Sequence, residues 1–133
     1  MNTTINTFIV DIDDTILTTP KGENGKFAYG VSQPITATIK RLQELKAAGH
    51  SIILFTARGM RTFGGDVNKI KAEHEARLVK WLAEHRVPYD NLIFGKPWGS
   101  NPIYVDNRNL SLKSFLNANV EDYEKLITEE NEI

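Results

Sequence analysis

Three carboxylates follow a short apolar run near the start of the chain. The run covers residues 8–10, and Asp11, Asp13 and Asp14 come directly after it. Residues two apart on an extended chain point to the same side, so Asp11 and Asp13 share a face. Two like charges about 4 Å apart repel each other by roughly 4 kcal/mol at an effective dielectric constant of about 20. The pair therefore indicates a bound cation, a bound proton or both. The alternative is a plain turn followed by a helix cap.

Polar side chains also follow three later apolar runs, at residues 52–55, 92–94 and 103–105. Thr56 follows the first of these, Lys96 comes just past the second, and Asp106 follows the third. Runs of this kind, like that at 8–10, predict strands buried on both faces of a parallel sheet. The carboxyl ends of parallel strands meet at one edge, where open α/β sheets hold their ligands. We therefore expect these residues to lie beside Asp11 and Asp13.

Helical patterns alternate with the four predicted strands. Apolar residues at helical spacing, with cap and stop signals, predict helices over residues 34–48, 66–86, 110–116 and 120–127. The alternation predicts an α/β fold, a doubly wound (Rossmann-like), mainly parallel sheet with helices on both faces. Residues 16–19 and 27–29 are predicted to pair as a hairpin that covers the site like a flap, the alternative being a plain surface loop.

Size and composition indicate one soluble domain, residues 1–133. Apolar residues make up 41% and charged residues 25% of the chain, and the net charge of −1 gives no attraction toward nucleic acid or membrane. No apolar run is long enough to span a bilayer and no signal-peptide pattern is present, so we expect a cytoplasmic protein. The absence of cysteine excludes thiolate chemistry. His74 and His85 fall on or near an apolar helical stripe, which favours a structural role.

The order and spacing of these residues resemble those of the haloacid dehalogenase (HAD) superfamily of phosphatases. The motifs of that superfamily are DxDxT, a strand-end Thr or Ser, a Lys and a strand-end acidic pair. The resemblance implies that Asp11 is the nucleophile that becomes an aspartyl phosphate, and that Asp13 is first the general acid and then the general base. It implies that Thr56 hydrogen-bonds a phosphoryl oxygen and that Lys96 offsets negative charge. It also implies a Mg²⁺ ion held by Asp11, the backbone carbonyl of Asp13, and Asp106.

General chemistry agrees with these assignments. A carboxylate can attack a phosphate dianion only where positive charge suppresses their repulsion, and a divalent ion and a lysine supply that charge. Oxygen ligands suit Mg²⁺, and the sequence has no His or Cys cluster that would indicate zinc.

Asn107 stands where many members have a second acid, so we expect weaker Mg²⁺ binding. The connection after the first predicted strand holds only the flap, and the region between the second and third motifs is filled by one helix, so we expect a capless protein with an open site. Such sites admit bulky substrates or are roofed by a partner subunit of a homo-oligomer.

Two longer stretches, ELKAAGHSIILFTARGMRTFGGDVNKI and VPYDNLIFGKPWG, resemble a small capless group associated with bacterial capsular polysaccharide synthesis. This resemblance implies a phosphorylated sugar or polyol-type capsule precursor as the substrate. Arg58 and Arg61 would then hold its phosphate or a second anionic group, the alternative being solvated loop charges. Trp98 would line the pocket against a sugar face, the alternative being a wedge within its own loop.

Other functions stay open on the sequence alone. Asn107 leaves room for a non-catalytic or weakly active phosphate-binding relative. A two-component receiver domain uses similar residues, but its phospho-acceptor follows a middle strand, where this chain has Thr56. A phosphomutase is a further alternative, although nothing beyond the two arginines indicates a second phosphate pocket.

Overall fold

The structure is a computed structural model, and it describes residues 4–21 and 31–132. Strands and helices alternate along the first part of the chain: β1 (Thr7–Asp11), α1 (Thr36–Ala47), β2 (Ser51–Thr56), α2 (Val67–Glu84) and β3 (Asn91–Phe94). The three strands form a parallel sheet in the order β1-β2-β3. The predicted α/β architecture with a parallel sheet is therefore confirmed.

The register of the sheet brings the carboxyl ends of the strands to one edge. Asp11, the last residue of β1, pairs with Phe55 of β2, and Thr56 pairs with Phe94 of β3. The residues that follow each strand consequently emerge close to those of its neighbour.

Both crossover helices lie on the same face of this sheet. Parallel crossovers are right-handed, and here the strand order follows the chain order, so α1 and α2 pack on one side. Most strand residues that point toward this side are buried, as are the apolar helix residues that meet them. The buried set comprises Val10, Ile52, Leu54, Phe94, Ile39, Leu42, Leu45, Ile70, Leu78 and Leu82. On the opposite side Ile9 is 67% exposed. The prediction that β1 is buried on both faces is therefore wrong, because its two neighbouring helices cover only one.

The chain divides into two compact units, of which the larger is Ile5–Gly99 and the smaller is built around Ser100–Ile133. In the smaller unit, α3 (Leu112–Asn117) is followed by a 3-10 turn (Val120–Asp122) and α4 (Tyr123–Asn131). The rings of Phe115 and Tyr123 stack with their centroids 5.8 Å apart, and the Tyr123 hydroxyl donates to the Phe115 carbonyl. The two predicted C-terminal helices are thus present.

The predicted fourth strand at residues 103–105 does not form. Ile103 and Val105 are almost fully exposed, and this segment has no ladder partner in the part of the chain that the structure describes. Two residues ahead of it, Asn101 adopts a left-handed conformation with φ 48°, and Pro102 has no N–H to donate to a ladder. An apolar β-branched run alone does not make a strand, because a strand needs a partner for its backbone hydrogen bonds.

Only part of the predicted hairpin can be compared with the structure. Residues 27–29 and the Asn-Gly turn lie outside the described residues. In the other arm, Leu17 forms an antiparallel bridge with Pro34, and the Thr18 N–H donates to the Gln33 carbonyl at 2.9 Å. No helix among the residues described is long and apolar enough to cross a membrane.

Candidate active site

A tight turn directly after β1 presents Asp11 and Asp13. Ile12 lies between them and is fully buried, and its carbonyl accepts the N–H groups of Thr15 and Ile16 at 3.1 and 2.8 Å. Asp14 adopts a left-handed φ of 63°, which turns the chain sharply. Because the side chain between them points into the core, the two carboxylates point out of it, as their spacing predicts.

Lys96 contacts the Asp11 carboxylate directly. Its Nζ lies 3.0 Å from Asp11 Oδ1, and the lysine side chain is only 16% exposed. The Lys96 N–H donates to the Thr56 carbonyl at 3.0 Å, which continues the pairing of β2 and β3 past the end of the sheet. The predicted association of Asp11 with a lysine after the third strand is present in the structure.

Asp11 is held by a second donor, and its environment disfavours negative charge. The Thr15 hydroxyl donates to Asp11 Oδ2 at 3.0 Å. Burial raises the pKa of the Asp11 carboxyl, and this outweighs the hydrogen bonds from Lys96 and Thr15, which lower it; the nearby Asp13 charge raises it further. Added positive charge would stabilise the ionised form of Asp11, and Lys96 supplies only part of that charge.

Asp13 is bound by the last residue of β2 and by a residue just after it. The Thr56 hydroxyl donates to Asp13 Oδ2 at 2.6 Å. The Arg58 guanidinium contacts Asp13 Oδ1 through Nη2 at 2.8 Å and through Nε at 3.3 Å. The Arg58 N–H in turn donates to Thr56 Oγ1 at 3.0 Å, so the three residues form one connected network.

The other two residues predicted to bind substrate lie on exposed loops. Arg61 belongs to the loop between β2 and α2, which turns at Gly59 with φ +78° and is closed by a hydrogen bond from the Phe63 N–H to the Gly59 carbonyl. Trp98 is exposed in the loop after β3. Their contact with substrate stays a prediction.

Asp106 lies in the smaller unit, where it shapes a turn. Its Oδ1 accepts the Arg108 N–H at 3.0 Å, and its backbone carbonyl accepts from Asn109 Nδ2 at 2.9 Å. Its place as a metal ligand beside Asp11 stays a prediction. Among the residues that the structure describes, no three His, Cys, Asp or Glu side chains form a group that could hold a metal ion.

The donors that the larger unit does provide fit a hard cation. Asp11 and Asp13 place oxygen atoms, and no nitrogen or sulfur ligand, at the end of β1. Mg²⁺ is bound in proteins through one or two carboxylates with water and substrate oxygens completing the shell. Burial raises the pKa of Asp11, and a bound cation would stabilise that carboxyl in its charged form.

Three contacts were not predicted from the sequence. The Thr56 hydroxyl, expected to bond a phosphoryl oxygen, donates to Asp13 Oδ2. No contact was predicted for Thr15, and its hydroxyl binds Asp11 Oδ2. Arg58 was expected to bind substrate, which stays a prediction, and its guanidinium holds Asp13. The spacing of Thr56 and Arg58 was the available signal, since residues two apart on an extended chain emerge on the same side.

Comparisons with known proteins identify a relative but no activity. A scan against models of protein families gives no match, and a search of curated proteins gives none either. The crystal structure of an MCSG target protein from Vibrio cholerae is similar, with a TM-score of 0.84 and 33% sequence identity over 95% of this chain and 99% of that chain. The two chains therefore belong to the same family and share the α/β fold.

Proposed function

We propose that this protein is a Mg²⁺-dependent phosphomonoester hydrolase of the HAD superfamily that works through an aspartyl phosphate on Asp11. The observation that carries the proposal is the contact of Lys96 Nζ with Asp11 Oδ1 at 3.0 Å, beside a second carboxylate at Asp13. A partly buried carboxylate paired with a lysine is suited to attack an anionic phosphate, because the ammonium offsets the repulsion between the two anions. The sequence resemblance favours a sugar or polyol-type phosphate as the substrate, as in capsular polysaccharide precursor synthesis.

The proposed reaction has two steps that use the same two carboxylates. In the first, an Asp11 oxygen forms a bond to phosphorus, the bond from phosphorus to the leaving oxygen breaks, and Asp13 gives that oxygen a proton. In the second, Asp13 takes a proton from water as the water oxygen attacks phosphorus, and the bond to Asp11 breaks to release inorganic phosphate. Asp13 thus ends each cycle with the proton that it had at the start.

The Asp11 carboxylate and the Asp13 backbone carbonyl would hold the cation, and the sequence resemblance implies the Asp106 carboxylate as a third ligand. Mg²⁺ bound there would supply positive charge to the phosphate oxygens. Thr15 keeps Asp11 oriented through its 3.0 Å bond to Oδ2, and Lys96 holds Oδ1. The attacking carboxylate is consequently fixed by two residues of the chain before substrate arrives.

The finer fold that we propose is doubly wound and capless. In a doubly wound sheet α1 and α2 would form one of two helical layers. The connection from β2 to α2 contains no strand or helix of its own in residues 57–66, which supports the capless proposal. An open site of this kind would take bulky substrates or be roofed by a second subunit.

The test is phosphate release by the purified protein. A panel of sugar, polyol and nucleotide monophosphates, with p-nitrophenyl phosphate as a generic substrate, should show turnover that requires Mg²⁺ and stops with a chelator. Asp11→Asn should abolish turnover without unfolding the protein. The matched control is Asp66→Asn, which removes a carboxylate outside the proposed catalytic set and keeps the helix-capping oxygen. An Asp11→Asn variant within tenfold of the wild-type rate would exclude Asp11 as the nucleophile.

A phosphate-binding relative without turnover is the second candidate. Asn107 favours it, because an amide replaces a second carboxylate next to Asp106. For this candidate, calorimetry would detect Mg²⁺-dependent binding of a phosphorylated ligand while the assay releases no phosphate from any substrate on the panel.

A further inference from the structure

Arg58 is placed to hold a carboxylate of the site. It is only 4% exposed, and its Nη2 and Nε lie 2.8 and 3.3 Å from the same oxygen of Asp13. An arginine fork on a carboxylate fixes geometry as well as charge. To reach a substrate phosphate with these two nitrogens, the guanidinium would have to leave Asp13.

Thr56 holds the other oxygen of the same carboxylate. A hydroxyl has one proton to donate, and that of Thr56 goes to Asp13 Oδ2 at 2.6 Å. The hydroxyl oxygen also accepts the Arg58 N–H at 3.0 Å, which orients it. The proton that the sequence resemblance assigns to a phosphoryl oxygen is thus directed at Asp13.

The hydrogen bonds that Asp13 accepts determine which of its lone pairs can take part in proton transfer. An ionised carboxylate has about four lone-pair sites, and the bonds from Thr56 and Arg58 occupy three of them. The remaining site is the one that can exchange a proton with a leaving oxygen or with water. Its direction is set by the residues that hold the other three.

We propose that Arg58 is a positioning residue that acts through Asp13: it aims the carboxylate for proton transfer and does not bind the substrate phosphate. This inference rests on the proposed function, since it assigns a role in the same reaction. It also makes a distinction that can be measured. A residue that binds phosphate affects all phosphate esters alike, mainly through KM, whereas one that acts through the general acid affects kcat most where the leaving oxygen needs a proton.

The experiment compares Arg58→Gln with wild type on two substrates, p-nitrophenyl phosphate and glycerol phosphate. The aryl leaving group departs readily without a proton and the alkyl one does not. We expect single-turnover phosphorylation by glycerol phosphate to slow by about 10²-fold or more, and that by p-nitrophenyl phosphate by less than about tenfold. KM should change by less than about threefold for both, and Arg58→Lys should recover part of the loss. Arg77→Gln, an exposed arginine on α2, is the matched control and should behave as wild type.

A double variant keeps the test valid even where Arg58→Gln leaves a buried carboxylate unpaired and fails to fold. Asp13→Asn with Arg58→Gln removes both charges of the pair, so no unpaired charge is left. If Arg58 acts through Asp13, the double variant should be as active on glycerol phosphate as Asp13→Asn alone. A further loss of more than about tenfold, or an equal loss on both substrates with a raised KM, would overturn the inference. If wild type turns over neither substrate, the proposed function itself fails.

Discussion

Replacement of Lys96 by methionine is the change whose effect on activity can be worked out most directly from the structure. The change removes the ammonium group and keeps an unbranched apolar side chain of similar length. At the observed 3.0 Å between Nζ and Asp11 Oδ1, two unit charges interact with about 5.5 kcal/mol at an effective dielectric constant of about 20. Since the Asp11 side chain is 31% exposed, solvent screens part of this, and we take about half, or roughly 3 kcal/mol.

That energy corresponds to a loss of about 10²-fold in kcat/KM, if the ammonium acts mainly on the attack of Asp11 on phosphate. The assay is Mg²⁺-dependent hydrolysis of p-nitrophenyl phosphate. Lys96→Arg keeps a positive charge and should retain more activity than Lys96→Met. Lys80→Met, which removes an exposed lysine from α2, is the matched control and should stay within about threefold of wild type.

One result would refute the reasoning. A folded Lys96→Met variant that keeps kcat/KM within about threefold of wild type would show that the ammonium does not offset charge in the rate-limiting step. Circular dichroism and thermal unfolding establish that the variant is folded. Loss of Lys96 removes one of the interactions that lower the pKa of Asp11, so the pKa of that carboxyl should rise further, which a ¹³C titration of the carboxyl can follow.

Three further predictions concern stability. Gly59→Ala should lower the free energy of unfolding by at least about 1 kcal/mol in denaturant titrations, because φ is +78° and an added Cβ would lie 3.1 Å from side chains of His74 and Ile70. Gly99→Ala should leave the free energy of unfolding unchanged, because the space around Gly99 is open. Asp66→Ala should cost about 1 kcal/mol by removing the N-cap of α2, and Asp66→Asn should not. Burial and the charges of Arg58 and Arg77 lower the pKa of His74 below its usual 6.5, so the unfolded chain takes up a proton first. Stability should therefore fall as pH drops from about 6.5 toward the pKa of His74 in the folded protein. His74→Phe should reduce the difference in melting temperature between pH 7.5 and pH 5.5. An unchanged difference would contradict this prediction.

The order of strands and helices through Phe94 could be predicted because its signals are local. Apolar runs and helical stripes marked β1 to β3 and the two long helices, and the bounds found differ from those predicted by one or two residues. The Asp66 cap of α2 was visible in the same way, and its side chain accepts the Lys69 N–H at 3.3 Å. The meeting of Asp11, Thr56 and Lys96 followed from one further rule, that the ends of parallel strands share an edge.

What could not be predicted depended on partners that the sequence does not show. The run at residues 103–105 has strand-forming residues, but its backbone groups gain nothing from an extended conformation without a neighbouring strand. Arg58 has the chemistry of an anion binder, and nothing local indicates whether that anion is a substrate or a carboxylate of the chain. The formation of a strand at residues 103–105 and the choice of anion by Arg58 both depend on which segments lie side by side.

The partner of Arg58 follows from the sheet register. Asp11 pairs with Phe55 in the parallel ladder, so continuing the register by two residues places Asp13 level with Ala57. The residues on either side of that position are Thr56 and Arg58, and each donates to one oxygen of Asp13. A shift of one residue between β1 and β2 would put Asp13 level with one of the two donors and out of line with the other. The proposed general acid is therefore aimed by the same backbone pairing that forms the sheet, which couples the accuracy of the chemistry to the register of β1 against β2.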